Sequence, residues 1–196
     1  MPTTDLSPER ARALEYLTVR AEAMSPREIR ARVRAAVADF EAALEGVSES
    51  TARGPVAAGT WTIAHVVDHV AQTQIRAAEE LRHLLQGRRP PGPPVYDGLS
   101  SGAAHWAAWA DLTEGLRAAN AELDALLARA AEAEPTTAVS ARTILVFNRA
   151  RPQGGVEPET FEAELRWKGY AMVQRLHLLD HRTQVRALRA TGERRP

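Results

Sequence analysis

The sequence predicts an all-α protein: an antiparallel four-helix bundle with long crossover loops and an extra N-terminal helix. Three observations lead there. Four long segments repeat apolar residues at the 3.6-residue spacing of a helix with one buried stripe. Serine, proline and glutamate stand where helices begin. The connections between the long segments are rich in Gly, Pro, Ser and Thr, and are long enough to carry the chain from one end of a bundle to the other.

Taken in order, Ser7-Pro8-Glu9 opens a short helix running to about Ala23. Ser25-Pro26-Arg27-Glu28 opens the next, with serine as N-cap, proline at the first helical position and glutamate closing a capping box. Ile29, Val33, Val37, Phe40 and Leu44 then recur at helical spacing to about Val47. Residues 48–60 form a connection. A helix follows from about Thr62 to Gln86, with Gly87 placed to end it. Residues 87–102 read as a stiff irregular loop, punctuated by prolines and glycines. A third long helix is expected from about Ala103 to Ala133, carrying His105, Trp106, Trp109, Leu112, Leu116, Leu123 and Leu126. The next connection contains a short extended piece, Ile144 to Asn148, and a loop of that length is usually functional or packed over a site. The last helix is expected to start near Pro158 and to end near Thr191-Gly192. Residues 1–24 thus form an N-terminal extension with a short helix, 25–192 the bundle, and 193–196 a tail.

Composition bounds the function. At 196 residues and 44% hydrophobic, the chain can bury one sizeable core. Lys+Arg and Asp+Glu are 25 each, so no basic excess points to nucleic acid, and the arginines read mostly as solvated helix faces. Cysteine is absent, which excludes disulfides, a thiolate nucleophile and cysteine-ligated metal. No run approaches 18 consecutive apolar residues and the start is not a signal peptide, so no membrane association and a cytoplasmic location are expected.

The histidines carry the chemistry. His177 and His181 lie one helical turn apart in the last helix. At about 100° per residue, Lys168, Arg175, Arg182 and Arg186 fall on one side of it. Trp167, Tyr170, Val173, His177, His181, Gln184 and Leu188 fall on the other. Both imidazoles therefore point into the buried stripe, where an i, i+4 pair can share one metal ion. Upstream, His69 lies about 120° from the centre of its helix's apolar face and is the better inward ligand. His65 lies about 160° away and reads as a surface residue, with a hydrogen-bonding role behind a ligand as the alternative. Three imidazoles without a fourth protein ligand is the pattern of a working metal; structural zinc is usually closed by four.

With these residues placed, the chain resembles the DinB/YfiT-like superfamily of metal-binding four-helix bundles. Three features carry the resemblance: Trp61 opening a helix with His69 eight residues later, Phe147-Asn148 before the final helix, and His177-x3-His181 followed by Gln184. Together they cover roughly residues 25–190. The resemblance implies that His69, His177 and His181 jointly bind a divalent metal such as zinc, nickel or iron, in agreement with the helical phase. It implies a homodimer paired through helix faces. It also implies, as one activity among several, a metal-dependent transferase or isomerase using a low-molecular-weight thiol such as mycothiol or bacillithiol.

Two functional classes follow. In the first, the protein is a metal-dependent thiol S-transferase or isomerase whose nucleophile arrives as cosubstrate. Its pocket would lie beside the metal, lined by Trp167, Tyr170, Gln174 and Gln184 and roofed by loop 87–102 or segment 144–155. Arg76, about 10 Å along the helix from His69, would hold an anionic group; its alternative is an ion pair with Glu79 or Glu80. Asp68 and Asp180, next to the ligand candidates, are candidate acceptors behind them, with surface or capping roles as the alternative. In the second class, the protein is a non-catalytic dimeric bundle that is stabilised by its metal or binds a small ligand. No general base stands near the histidine motif, since Glu162 and Glu164 precede His177 by several turns.

Overall fold

The computed structural model describes residues 7–56, 59–94, 98–150 and 156–192, with 147–150, 156–158 and 192 described by their backbone alone. The 193–196 tail, and parts of loop 87–102 and segment 144–155, lie outside these residues.

The capping box at Ser25 forms as its residues dictate. The Ser25 backbone N–H donates to the Glu28 carboxylate at 2.8 Å, and the Glu28 N–H donates to Ser25 Oγ at 3.3 Å. Such a cap contributes roughly 1 kcal/mol to the helix it opens. We label the helices α1 (residues 8–23), α2 (Pro26–Leu44), α3 (Glu49–Ala52), α4 (Ile63–Leu85), α5 (Trp109–Glu132) and α6 (Trp167–Gly192). The Thr62 side chain caps α4 by accepting from the His65 N–H. Past the end of α4, Gly87 takes φ +69°, a conformation natural to glycine.

The four long helices form the bundle. Opposite ends of α2 and α5 meet: Ile29 and Val33 pack with Leu123 and Leu127, whereas Ala36 and Phe40 pack with Leu112 and Leu116. Helices α4 and α6 also run antiparallel, joined at His69–His177 and Glu80–Tyr170. The remaining neighbours run the same way. Val66 and Val67 share a cluster with Leu112, and Leu81 and Leu84 share one with Leu123 and Leu127, so α4 and α5 are parallel. Lys168 bonds to the Met24 carbonyl, Arg182 to Asp39 and Arg189 to the Ala43 carbonyl, so α2 and α6 are parallel. The direction is up-down-down-up. The crossover after α4 returns the chain to the end where α4 began, and only two of the four neighbouring pairs are antiparallel.

Part of the basic side of α6 is not solvated: Lys168 and Arg182 are half-buried against the Met24 carbonyl and Asp39, while Arg186 is exposed as expected. Arg175 reaches Tyr16 of α1, and Arg189 satisfies carbonyls of Ala43 and Glu45 at the α2 C-terminus, where positive charge is favoured.

The last helix begins at Trp167, not near Pro158. Residues before it form an antiparallel hairpin of β1 (Ser140–Ala150) and β2 (Val156–Arg166), in register from Ser140–Arg166 to Ala150–Val156. Phe161, Ala163 and Leu165 are buried, while Thr160, Glu162, Glu164 and Arg166 between them are exposed. That period of two belongs to a strand with one face on the core. Helix α5 begins at Trp109, six residues later than expected, after a single 3-10 turn at Ala103–His105.

Helix α1 is continuous through a π turn at Tyr16–Arg20. Leu17 and Ala21 join the core beside Ile29, Trp167 and Met172. The π turn brings the Leu17 carbonyl onto α6 at Gly169, where a Cβ would collide with that oxygen. No helix among the described residues is long and apolar enough to cross a membrane.

Candidate metal centre

The inward phase of His177 and His181 and the antiparallel register of α4 against α6 bring three imidazoles to one point. His69 Nε2 and His177 Nε2 stand 2.9 Å apart. One ligand atom from each of His69, His177 and His181 lies within 4.8 Å of the others. Ring centroids are 5.0 Å apart for His69–His177, 4.9 Å for His69–His181 and 4.4 Å for His177–His181. Imidazoles sharing one ion at a metal–nitrogen distance of about 2.0–2.1 Å place their centroids about 4.5–5.2 Å apart, for ligand angles of about 90–110°. Two of the three distances fall in that range and His177–His181 lies just below it, so the three rings could hold one divalent ion.

Hydrogen bonding sets the tautomers to match. His69 Nδ1 lies 2.8 Å from the Leu99 carbonyl oxygen, and His181 Nδ1 lies 2.8 Å from Gln184 Oε1. Both partners only accept, so each Nδ1 carries the proton and each Nε2 presents a lone pair to the centre. Burial lowers the pKa of His69 and His181 and pushes that of His177 well down, with its two neighbouring imidazoles adding to the effect. Neutral imidazole, the form that binds metal, is therefore favoured in the fold.

A loop holds the Leu99 carbonyl in place, and Asp68 holds the loop. The buried Asp68 carboxylate accepts from Ser100 Oγ at 2.6 Å, Ser101 Oγ at 2.5 Å, Ser101 N at 3.1 Å and Gly102 N at 3.2 Å. Gly98 in the same loop lies over the rings of Trp61 and His69. Trp61 walls the centre on another side: its ring is 4.8 Å from that of His69 and stacks at 6.3 Å on that of His181. It is 36% exposed, so this wall separates the histidines from solvent.

Of the expected residues, the structure brings together His69, His177, His181 and Gln184. Gln174 is buried on α6, one turn before His177. Tyr170 and Trp167 lie further back, seven and ten residues from His177, about 10 and 15 Å along the helix. The Tyr170 hydroxyl donates to Glu80 at 2.7 Å, and burial, with Glu80 beside it, keeps that hydroxyl protonated. Trp167 sits in the core with Leu17 and Leu165. Arg76 takes its alternative role: it bonds to Glu80 at 2.6 Å, pairs with Glu79 and reaches the Pro91 carbonyl. The proline-rich segment covers a cleft of about 150 Å³ lined by Glu80, Arg89, Ala141 and Arg142, at the level of Tyr170. The side chains of Phe147 and Asn148, and residues 151–155, lie outside the described residues.

Sequence reasoning did not find the roles of Leu99, Gly98 and Trp61 at the centre. Leu99 acts through its backbone, which no side-chain pattern marks. Asp68, a candidate acceptor behind a ligand, acts one step further out, through the loop. His65 stacks edge-on against His105 at 4.8 Å, and its Nδ1 lies 2.7 Å from Thr62 Oγ1, outside the three-histidine group.

The sequence model of the DinB superfamily matches residues 32–167. The matched segment holds Trp61 and His69 and ends before His177 and His181. No curated protein and no solved structure matches the chain.

Proposed function

Since the chain belongs to the DinB superfamily, we propose that it is a metal-dependent enzyme in which His69, His177 and His181 hold one divalent ion and a low-molecular-weight thiol is the cosubstrate of a transfer or isomerisation. One observation carries this reading. Among the described residues the donor group has three members and no fourth, which leaves coordination positions for a small molecule. A bound ion would supply one thing, a lowered pKa for the thiol or water it meets. The chain supplies the rest. Leu99 and Gln184 aim the ligand nitrogens, Trp61 limits solvent access, and the absence of any cysteine leaves the sulfur nucleophile to come from outside.

A second reading, a non-catalytic bundle that is stabilised by metal or binds a small ligand, is favoured by one fact. The buried Asp68 and the half-buried Glu80 on α4 are committed elsewhere, Asp68 to the loop and Glu80 to Tyr170 and Arg76. Neither is placed as a general base for the centre. Cobalt-substituted protein separates the two. A visible spectrum that shifts on adding thiol, with thiol consumption against an electrophile, supports the enzyme. A spectrum unmoved by thiol supports the second reading. We also propose a homodimer; what supports it is Trp106, 77% exposed beside the 3-10 turn.

A further inference from the structure

His177 differs from the other two histidines in one respect. Its Nδ1 is buried and has no hydrogen-bond partner, whereas those of His69 and His181 each meet an acceptor. Buried imidazole nitrogens are rarely left so, because a desolvated polar atom costs more unpaired than paired, and metal at Nε2 would put the His177 proton on Nδ1. One turn earlier on α6, Gln174 is 4% exposed, and its Oε1 is also buried without a partner.

We infer that Gln174 is the positioning residue of His177, its amide oxygen accepting the Nδ1–H when the three histidines hold metal. The inference rests on the metal-centre reading above and adds to it. Side chains on a helix lean toward its N-terminus, so the His177 ring lies over the turn that carries Gln174. The same three-residue separation joins His181 to Gln184, with the glutamine after the histidine instead of before it. Rotation about the side-chain torsions of Gln174 joins two unpartnered atoms. The facing helix offers a hold for the amide. Contacts at His69–His177 and Glu80–Tyr170 fix the register of α4 against α6 and place Gln74 level with Gln174. Gln74 is fully buried, and its Oε1 and Nε2 are both unpartnered. Its amide N–H can donate to the second lone pair of Gln174 Oε1. Each ligand histidine then has one acceptor: a backbone carbonyl for His69 and a glutamine for each of the other two.

The test uses the full chain loaded with cobalt. In the wild type, proton NMR is expected to show three shifted, slowly exchanging imidazole N–H resonances. Gln174→Leu is expected to broaden or remove one of the three and to weaken cobalt and zinc binding about 10–100-fold. Gln174→Glu keeps an acceptor and is expected to restore the third resonance and most of the affinity. Circular dichroism of the metal-free variants controls for folding. If Gln174→Leu keeps three sharp resonances and wild-type affinity, Gln174 has no such role, though the metal centre stands. If Gln174→Leu loses affinity with all three resonances intact, its effect is only structural and the inference fails. A wild-type chain that takes up no stoichiometric cobalt overturns the centre itself, and this inference with it.

Discussion

His69 Nε2 and His177 Nε2 stand 2.9 Å apart although 108 residues separate them in the chain. Two neutral imidazoles with outward lone pairs repel at that distance; a shared proton or a shared cation makes the contact favourable. With protons held at Nδ1 of His69 and His181, a His177 Nε2–H can serve one of these lone pairs, whereas a cation would use all three rings.

Removing the Asp68 carboxylate should loosen the loop that aims His69. Asp68→Ala removes the shared acceptor of two hydroxyls and two backbone N–H groups, and bonds to a charged acceptor are the stronger kind. We expect a loss of roughly 2–4 kcal/mol in urea unfolding. Zinc affinity should fall about 10–100-fold, as for other partners standing behind a ligand. Faster amide exchange at residues 99–102, with the rest of the bundle unchanged, would place the effect in the loop. Wild-type affinity in a folded Asp68→Ala protein would show that the loop does not position His69.

The N-terminal helix is expected to be part of the folded unit through Gly169. A methyl group there meets the Leu17 carbonyl, so Gly169→Ala must push α1 away from α6. The expected cost is about 1–3 kcal/mol, read as a lowered Tm, with metal content unchanged. Gly169 lies eight residues before His177, more than two turns away, so loss of metal without loss of stability would contradict this account.

Much of this was legible in the sequence, and the failures have physical causes. Helical phase placed His177 and His181 inward, because a buried stripe constrains every position along it. The capping box at Ser25 was legible because its residues act within one turn. The strand Val156–Arg166 was misread because glutamate, alanine and leucine favour helices and Pro158 resembles a helix start. Yet Phe161, Ala163, Leu165 and Trp167 alternate with polar residues, and the period outweighs the propensity once a core face is available. His69 and Leu99 could not be paired by spacing, since the loop that brings the Leu99 carbonyl to the imidazole returns from 30 residues away.

Acid should destabilise the metal-free protein earlier than carboxylate titration alone would. His69, His177 and His181 all have folded pKa values below the ordinary imidazole range. The unfolded chain takes up protons on these residues from about pH 6.5 downward, before the folded chain does. Stability is therefore level above that pH and falls as pH drops from about 6.5 toward the folded values. Thermal melts of chelator-treated protein between pH 7.5 and 5.5 should show the fall, and a folded His177→Leu variant should show less of it. A Tm that rises on acidification would contradict the assignment.

Light scattering at micromolar concentration is expected to give the mass of a dimer, and Trp106→Ser is expected to shift it toward the monomer. A wild-type chain that scatters as a monomer rejects the pairing, and an unchanged dimer in the variant moves the interface elsewhere.

Metal stoichiometry tests the central claim most directly. Protein purified without chelator and loaded with zinc or cobalt, then desalted, should carry one ion per chain by elemental analysis. The His177→Ala/His181→Ala double variant, with its fold verified by circular dichroism, should carry none. A double variant that retains one ion per chain would contradict the three-histidine centre.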